Sequence, residues 1–198
     1  MIDALLRELY ATSALEFLAV VLGVVYVLLI LKRNRLGWLA GAGSSIIYVY
    51  LAARAHLPMQ SLLQLYYVVM SAYGWRNWTR AQQQQGGGIG RWPVRNHALA
   101  LLAIVLLSVL TAQWLRLETH AAWPYLDSLT TWISLFATWL VARLKLENWL
   151  YWISADSVMA YLFAAQGYPF TAGLFLTYMV IAVFGFREWL QKFRLQSA

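Results

Sequence analysis

The chain has 198 residues, 62% of them apolar and only 12% charged, with a formal net charge of +7 and no cysteine. A soluble domain carries about a quarter charged residues, so the solvent for most of this chain is lipid. The absence of cysteine excludes a disulfide framework and a thiolate metal site, and basic residues confined to short loops between apolar spans exclude nucleic acid as the partner.

The N-terminal stretch carries Asp3, Arg7 and Glu8 rather than a basic run, and the apolar segment Leu15 to Leu31 is too long for a signal-peptide core. It reads as a first, retained span. Seven segments reach the length of about 17–20 residues that a bilayer core requires. They are residues 14–31, 36–54, 58–78, 97–114, 124–142, 147–165 and 170–190. Interior Gly, Ser, Thr and Tyr favour a helical bundle with close contacts, and the short alternating segments of a β-barrel are absent.

The basic residues set the orientation. Lys32, Arg33, Arg35, Arg76, Arg80, Arg91, Arg95, Arg143, Lys145, Arg187, Lys192 and Arg194 fall on one side, and only Arg7, Arg54 and Arg116 on the other. Twelve against three predicts an external N-terminus and a cytoplasmic C-terminus. Gln82–Gly90 reads as a flexible cytoplasmic linker; it lacks the Lys-Ser/Thr and the preceding strand of a phosphate loop. His56, His97 and His120 sit near span ends with no ligand spacing and read as interfacial polar residues, so no metal and no cofactor is expected.

Shifted by 111 positions, residues 36–78 lie on residues 147–189 without a gap, and 13 of the 43 pairs are identical. The pairs include Trp38/Trp149, Pro58/Pro169, Tyr67/Tyr178, Gly74/Gly185, Arg76/Arg187 and Trp78/Trp189, and the register extends back to Glu16/Asp127. Two three-span repeats, 14–78 and 124–190, separated by a linker and one connecting span, 79–123, point the same way across the membrane. One membrane domain, 1–198, is therefore expected, an all-α seven-helix bundle in a 3+1+3 parallel-repeat, SWEET-like plan. In such a plan the site lies between repeats near the midplane.

Trp149, Trp152 and Asp156 share roughly a 60° arc of span six. Asp156 lies near mid-span, where a carboxylate costs several kcal/mol unless it faces a polar cavity or a partner. Trp152 on the same face suits a flat aromatic cation, by stacking and cation–π attraction. Trp149 lies nearer the cytoplasmic end, where an interfacial anchor is an equal alternative. In span three, Gln60, Gln64, Tyr67 and Ser71 recur at helical spacing as a polar stripe that must face a neighbouring helix or a wet cavity. Tyr67 and its repeat mate Tyr178 suit a central chamber or a structural contact. Glu16 and Asp127 read as acids at helix starts. Pro58 and Pro169 open spans three and seven. Gly74/Gly185, Arg76/Arg187 and Trp78/Trp189 close each repeat, the Gly permitting close approach or bending and the Arg and Trp anchoring the cytoplasmic interface.

The run Glu147-Asn-Trp149-Leu-Tyr-Trp152-Ile-Ser-Ala-Asp156 resembles the W-x-x-W-x-x-x-D/N signature of PnuC-type vitamin transporters. Gln64-Leu-Tyr66-Tyr67 through Ser71-Ala-Tyr73-Gly74-Trp75 resembles that family's third span, as do Gly167, Thr171, Tyr178 and the Gly185-Phe-Arg-Glu-Trp189 ending its seventh. The resemblance implies facilitated uptake of nicotinamide riboside across a bacterial inner membrane, with trapping by a cytoplasmic kinase and a homotrimeric assembly. It also implies site roles for Trp149, Trp152, Asp156 and Gln64. Gln60 stands where many nicotinamide riboside carriers would have Asp, so thiamine, another flat cation, stays open as the substrate. A membrane enzyme is disfavoured, since no nucleophile–base pair, metal cluster or nucleotide loop is present. A structural or sensor protein would not need the duplicated polar interior.

Overall fold

The computed structural model describes residues 14–54, 58–83, 88–118 and 123–196. Seven helices follow in order: α1 (Ala14–Leu31), α2 (Leu36–Arg54), α3 (Pro58–Gln83), α4 (Val94–Glu118), α5 (Pro124–Ala142), α6 (Asn148–Ala165) and α7 (Pro169–Gln196). Their order matches the seven predicted spans. α3, α4 and α7 run several residues past the apolar segments, since a helix does not end where hydropathy does. α3 and α7 begin at the predicted prolines, whose missing N–H costs nothing in a first turn. Among the described residues, Ala14–Leu31, Leu36–Arg54, Val94–Leu117 and Thr171–Gln196 are long and apolar enough to cross a membrane by composition alone. α3, α5 and α6 carry the polar stripes, which lower their hydropathy.

The chain divides into two compact units, residues 1–83 and 84–198. The connecting helix α4 falls within the second unit. In each unit the helices pack in chain order: α1 on α2 and α2 on α3, then α4 on α5, α5 on α6 and α6 on α7.

The duplication extends to local geometry. Arg33 and Leu144, which correspond under the 111-residue shift, are the two non-glycine residues with positive φ among those described, at 60° and 55°. Both sit in the loop between the first two helices of their repeat, α1 and α2 or α5 and α6. Lys145 N–H donates to the Leu140 carbonyl at 2.9 Å just as Asn34 N–H donates to Leu29 at 2.8 Å. Arg33 and Leu144 donate to Ile30 and Val141, both at 2.9 Å. A left-handed residue costs a side chain strain, yet both units adopt it to turn the chain within loops of four and five residues.

Many hydroxyl groups inside the helices bond to their own helix backbone. Ser71, Thr130, Thr138, Ser154 and Thr177 each donate to the carbonyl four residues earlier, at 2.8–3.0 Å. In lipid no water supplies that bond. Others join helices: Ser44 Oγ donates to the Ala19 carbonyl at 2.8 Å, tying α2 to α1, and Trp132 Nε1 donates to Thr111 Oγ1 at 3.2 Å, tying α5 to α4.

Candidate functional site

The repeat's matched residues build the same joint twice. In the first unit Trp38 of α2 meets Trp78 of α3 edge to face, at 5.5 Å between centroids and 89°. In the second, Trp149 of α6 meets Trp189 of α7 at 5.6 Å and 87°. Gly74 and Gly185 make room for the first indole of each pair: a Cβ on Gly185 would stand 2.6 Å from the Trp149 ring, and one on Gly74 would run into Trp38. Trp78 and Trp189 are 1% and 0% exposed. They are thus not interfacial anchors as the sequence suggested; their indoles fill the helix–helix contact. The glycines serve close approach. Arg76 and Arg187 are exposed, each on the turn of its helix that carries the matched glycine and tryptophan. Trp149, at 2% exposure, is buried in its joint, and its Nε1 has no hydrogen-bond partner among the described residues.

One turn further along α6 the environment changes. Trp152 is half-buried and packs on a cluster of Ile104, Ile133, Ala137, Leu140, Tyr151 and Ala155. Asp156 is 6% exposed. Within its own unit, among the described residues, no hydrogen-bond donor or cation is paired with its carboxylate. The predicted shared face of Trp152 and Asp156 is present on an unbroken helix. α6 then ends at Gly167, whose φ of 81° lets Tyr168 N–H reach the Phe163 carbonyl at 2.8 Å.

The other predicted site residues lie on α3 and α7. On α3 the polar stripe turns away from exposed Leu62, Leu65 and Val69. Gln64 and Tyr67 are half-buried and Ser71 is buried, while Gln60 is exposed. The Tyr66 and Tyr67 rings meet edge to face at 5.7 Å. On α7, Tyr178 is half-buried against Phe175 at 6.2 Å. Glu16 and Asp127 are exposed in first turns, consistent with the dipole reading.

A second polar cluster escaped the sequence reading. Glu147, at the N-terminus of α6, is 7% exposed. It accepts from Arg91 Nε at 3.1 Å and from the Trp92 backbone N–H at 3.1 Å. His97 Nε2 stands 4.0 Å away, and His97 Nδ1 is 3.0 Å from the Tyr151 hydroxyl. His97 is therefore a networked residue rather than a bland interfacial one. His56 and His120 lie outside the described residues. The predicted flexible linker is also partly ordered. Gln82 and Gln83 continue α3, residues 84–87 lie outside the described residues, and Gly90 pairs with the 144–146 loop. A signal for Glu147 was available: its repeat mate is Leu36, so a charge stands where the other unit is apolar. Among the described residues no group of three His, Cys, Asp or Glu could hold a metal.

The nicotinamide mononucleotide transporter family model matches residues 13–191. The chain belongs to this family. It is similar to the riboflavin/roseoflavin transporter RibM of Streptomyces davaonensis, 24% identical over 183 residues that cover 89% of this chain and 84% of RibM. It is 27% identical to the nicotinamide riboside transporter PnuC of Escherichia coli over 159 residues, 67% of this chain and 66% of PnuC. A crystal structure of the vitamin B3 transporter PnuC shares the fold, with a TM-score of 0.75 over 98% of this chain and 88% of that one, at 23% identity. The nicotinamide mononucleotide transporter family comprises transporters, not enzymes, and this member is a multi-pass helical membrane protein.

Proposed function

We propose that this protein is a facilitator of nicotinamide riboside uptake in a bacterial inner membrane, with the N-terminus outside and the C-terminus inside. The observation that carries the reading is Asp156, a buried carboxylate without a cation beside it in its own unit, on the same helix face as half-buried Trp152. Such a carboxylate demands a positive partner, and a pyridinium ring supplies the charge and a flat face for the indole. Trp152 stacks on the ring and Asp156 pairs with its charge. Trp149, behind them, sets the floor of that face, and Tyr178 of α7 contributes a phenol. In the first unit, Gln64 and Tyr67 form a half-buried polar stripe of the kind that hydrogen-bonds hydroxyl groups. Gly74 and Gly185 with Arg76 and Arg187 form the cytoplasmic closures. The substrate moves down its own gradient and is retained by cytoplasmic phosphorylation.

Thiamine fits the same pair of groups, being flat, aromatic and cationic. Riboflavin, suggested by the likeness to RibM, is neutral and gains less from Asp156. The deciding experiment is competition in proteoliposomes loaded with buffer alone. Labelled nicotinamide riboside should enter saturably, with unlabelled nicotinamide riboside competing best. Stronger competition by thiamine or riboflavin would reassign the substrate, and flux no faster than in empty liposomes would remove the transport reading for all three.

A further inference from the structure

The second unit contains a clamp that has no counterpart among the described residues of the first. Just before α4 the chain lies against the loop that leads into α6: Gly90 N–H donates to the Leu144 carbonyl and Leu146 N–H donates to the Gly90 carbonyl, both at 2.9 Å. The next two residues both bind Glu147, Arg91 through its guanidinium and Trp92 through its backbone. The Trp92 indole then inserts among His97, Phe136 and Trp139, at centroid distances of 4.9, 5.4 and 5.6 Å. α4 and α6 do not approach each other through their backbones among the described residues. They flank a cleft of about 330 Å³ lined by His97, Leu101, Ile133, Glu147, Leu150, Tyr151 and Ser154. The contacts of His97 with Glu147 and Tyr151 bridge that cleft at its cytoplasmic end.

We infer that Glu147 is a positioning residue for substrate recognition: it pins the cytoplasmic end of α6 to the strap at Gly90–Trp92 and thereby fixes the rotation of the helix face that carries Trp152 and Asp156. This rests on the substrate role proposed for that face. Glu147 lies opposite it, since successive residues advance about 100° around the axis, so Glu147 does not touch the solute there. A carboxylate hydrogen-bonded twice to the strap, with His97 of α4 at 4.0 Å, restrains both rotation and sliding of α6. At the equivalent place in the first unit stands Leu36, which is half exposed. The corresponding helix α2 has Gly41 and Ser45 where α6 has Trp152 and Asp156. The clamp and the recognition groups therefore occur together on α6.

The test is a double-mutant cycle read by calorimetry with nicotinamide riboside on the purified full-length protein. A charge-assisted hydrogen bond to a buried carboxylate is worth about tenfold in an equilibrium. Glu147→Ala should therefore weaken binding by about that factor, with Glu147→Gln, which keeps an acceptor for the Trp92 N–H, losing less. In a Trp152→Ala background the same Glu147→Ala change should cost less than about twofold, because the group being positioned is gone. An equal loss in both backgrounds, or wild-type affinity in Glu147→Ala, overturns the inference. Should Glu147→Ala fail to fold, Arg91→Ala carries the same cycle from an exposed side chain. Trp152→Ala measured alone tests the proposed site separately: wild-type affinity there would sink the substrate reading of α6, whereas additivity would sink only the clamp.

Discussion

Gly185→Ala tests whether the repeat's matched residues encode packing. The added Cβ would meet three atoms of the Trp149 ring at 2.6, 2.6 and 2.7 Å. To reach the 3.4 Å at which ordinary contact begins, the indole would have to retreat by about 0.8 Å. It has nowhere to go, because Trp189 backs it edge to face at 5.6 Å and both rings are essentially unexposed. Overpacking of this kind typically costs about 1–3 kcal/mol. For a chain of this size 1 kcal/mol moves the melting midpoint by about 2–4 °C, so a fall of about 2–12 °C is expected by intrinsic fluorescence in detergent. Gly173→Ala is the internal control, on the same helix, with nothing within 4 Å of its Cβ. It should melt at or slightly above the wild-type temperature, since Ala is a better helix former than Gly by about 1 kcal/mol. Trp149→Leu should absorb much of the Gly185→Ala penalty, so that the double variant loses less than the two single losses together. Equal melting of Gly185→Ala and Gly173→Ala would refute the reasoning.

Asp156→Asn should leave the protein folded and weaken binding of a cationic substrate by about 1–3 kcal/mol, measured by calorimetry; unchanged affinity would move the charge recognition off α6. Trp152→Ala should weaken the same ligand, and its effect should not add to that of Asp156→Asn, because both groups hold one ring. A cysteine at Arg80, exposed near the C-terminal end of α3, should be protected from an impermeant thiol reagent in intact cells and labelled after permeabilisation; labelling from outside would invert the topology. Flux should follow the substrate gradient alone, and accumulation of unmodified substrate in liposomes driven by a proton or sodium gradient would contradict this.

The seven helices were legible because lipid imposes a length on each span, and four of them also meet the apolar composition that a bilayer core demands. The face of α6 proposed as the site stands out in the sequence because an acid and an indole at helical spacing inside an apolar span are costly without a purpose. Other features depended on contacts between segments distant in sequence. Trp78 and Trp189 look like interfacial anchors in one dimension, since nothing in their position near a span end reveals that a glycine four residues earlier draws another helix over them. The strap at Gly90–Trp92 was hidden for a similar reason. Its low-complexity neighbourhood signals freedom, while its partners lie more than fifty residues away in the loop before α6. Glu147 was quoted as part of a motif without a role, because a carboxylate at a helix start ordinarily needs none beyond the dipole.

The internal duplication separates packing from chemistry. Matched positions such as Trp38/Trp149, Gly74/Gly185 and Trp78/Trp189 build the joint between the second and third helices of each repeat. Three departures that change the chemistry lie on α6 or at its start: Gly41 against Trp152, Ser45 against Asp156 and Leu36 against Glu147. They are not independent of the packing around them. A Cβ on Gly41 would stand 2.8 Å from the ring of Tyr26, so that ring already occupies the space a larger side chain would need. At the position matching Tyr26 the second unit has Ala137, part of the cluster on which Trp152 packs. The aromatic bulk thus comes from the first helix in one unit and from the second helix in the other. That exchange lets α6 present an indole beside a carboxylate without overfilling its bundle, and it leaves α2 unable to do the same while Tyr26 stays. An ancestral pair of equivalent units would have carried two equivalent faces; this chain has concentrated charge, indole and clamp on one of them.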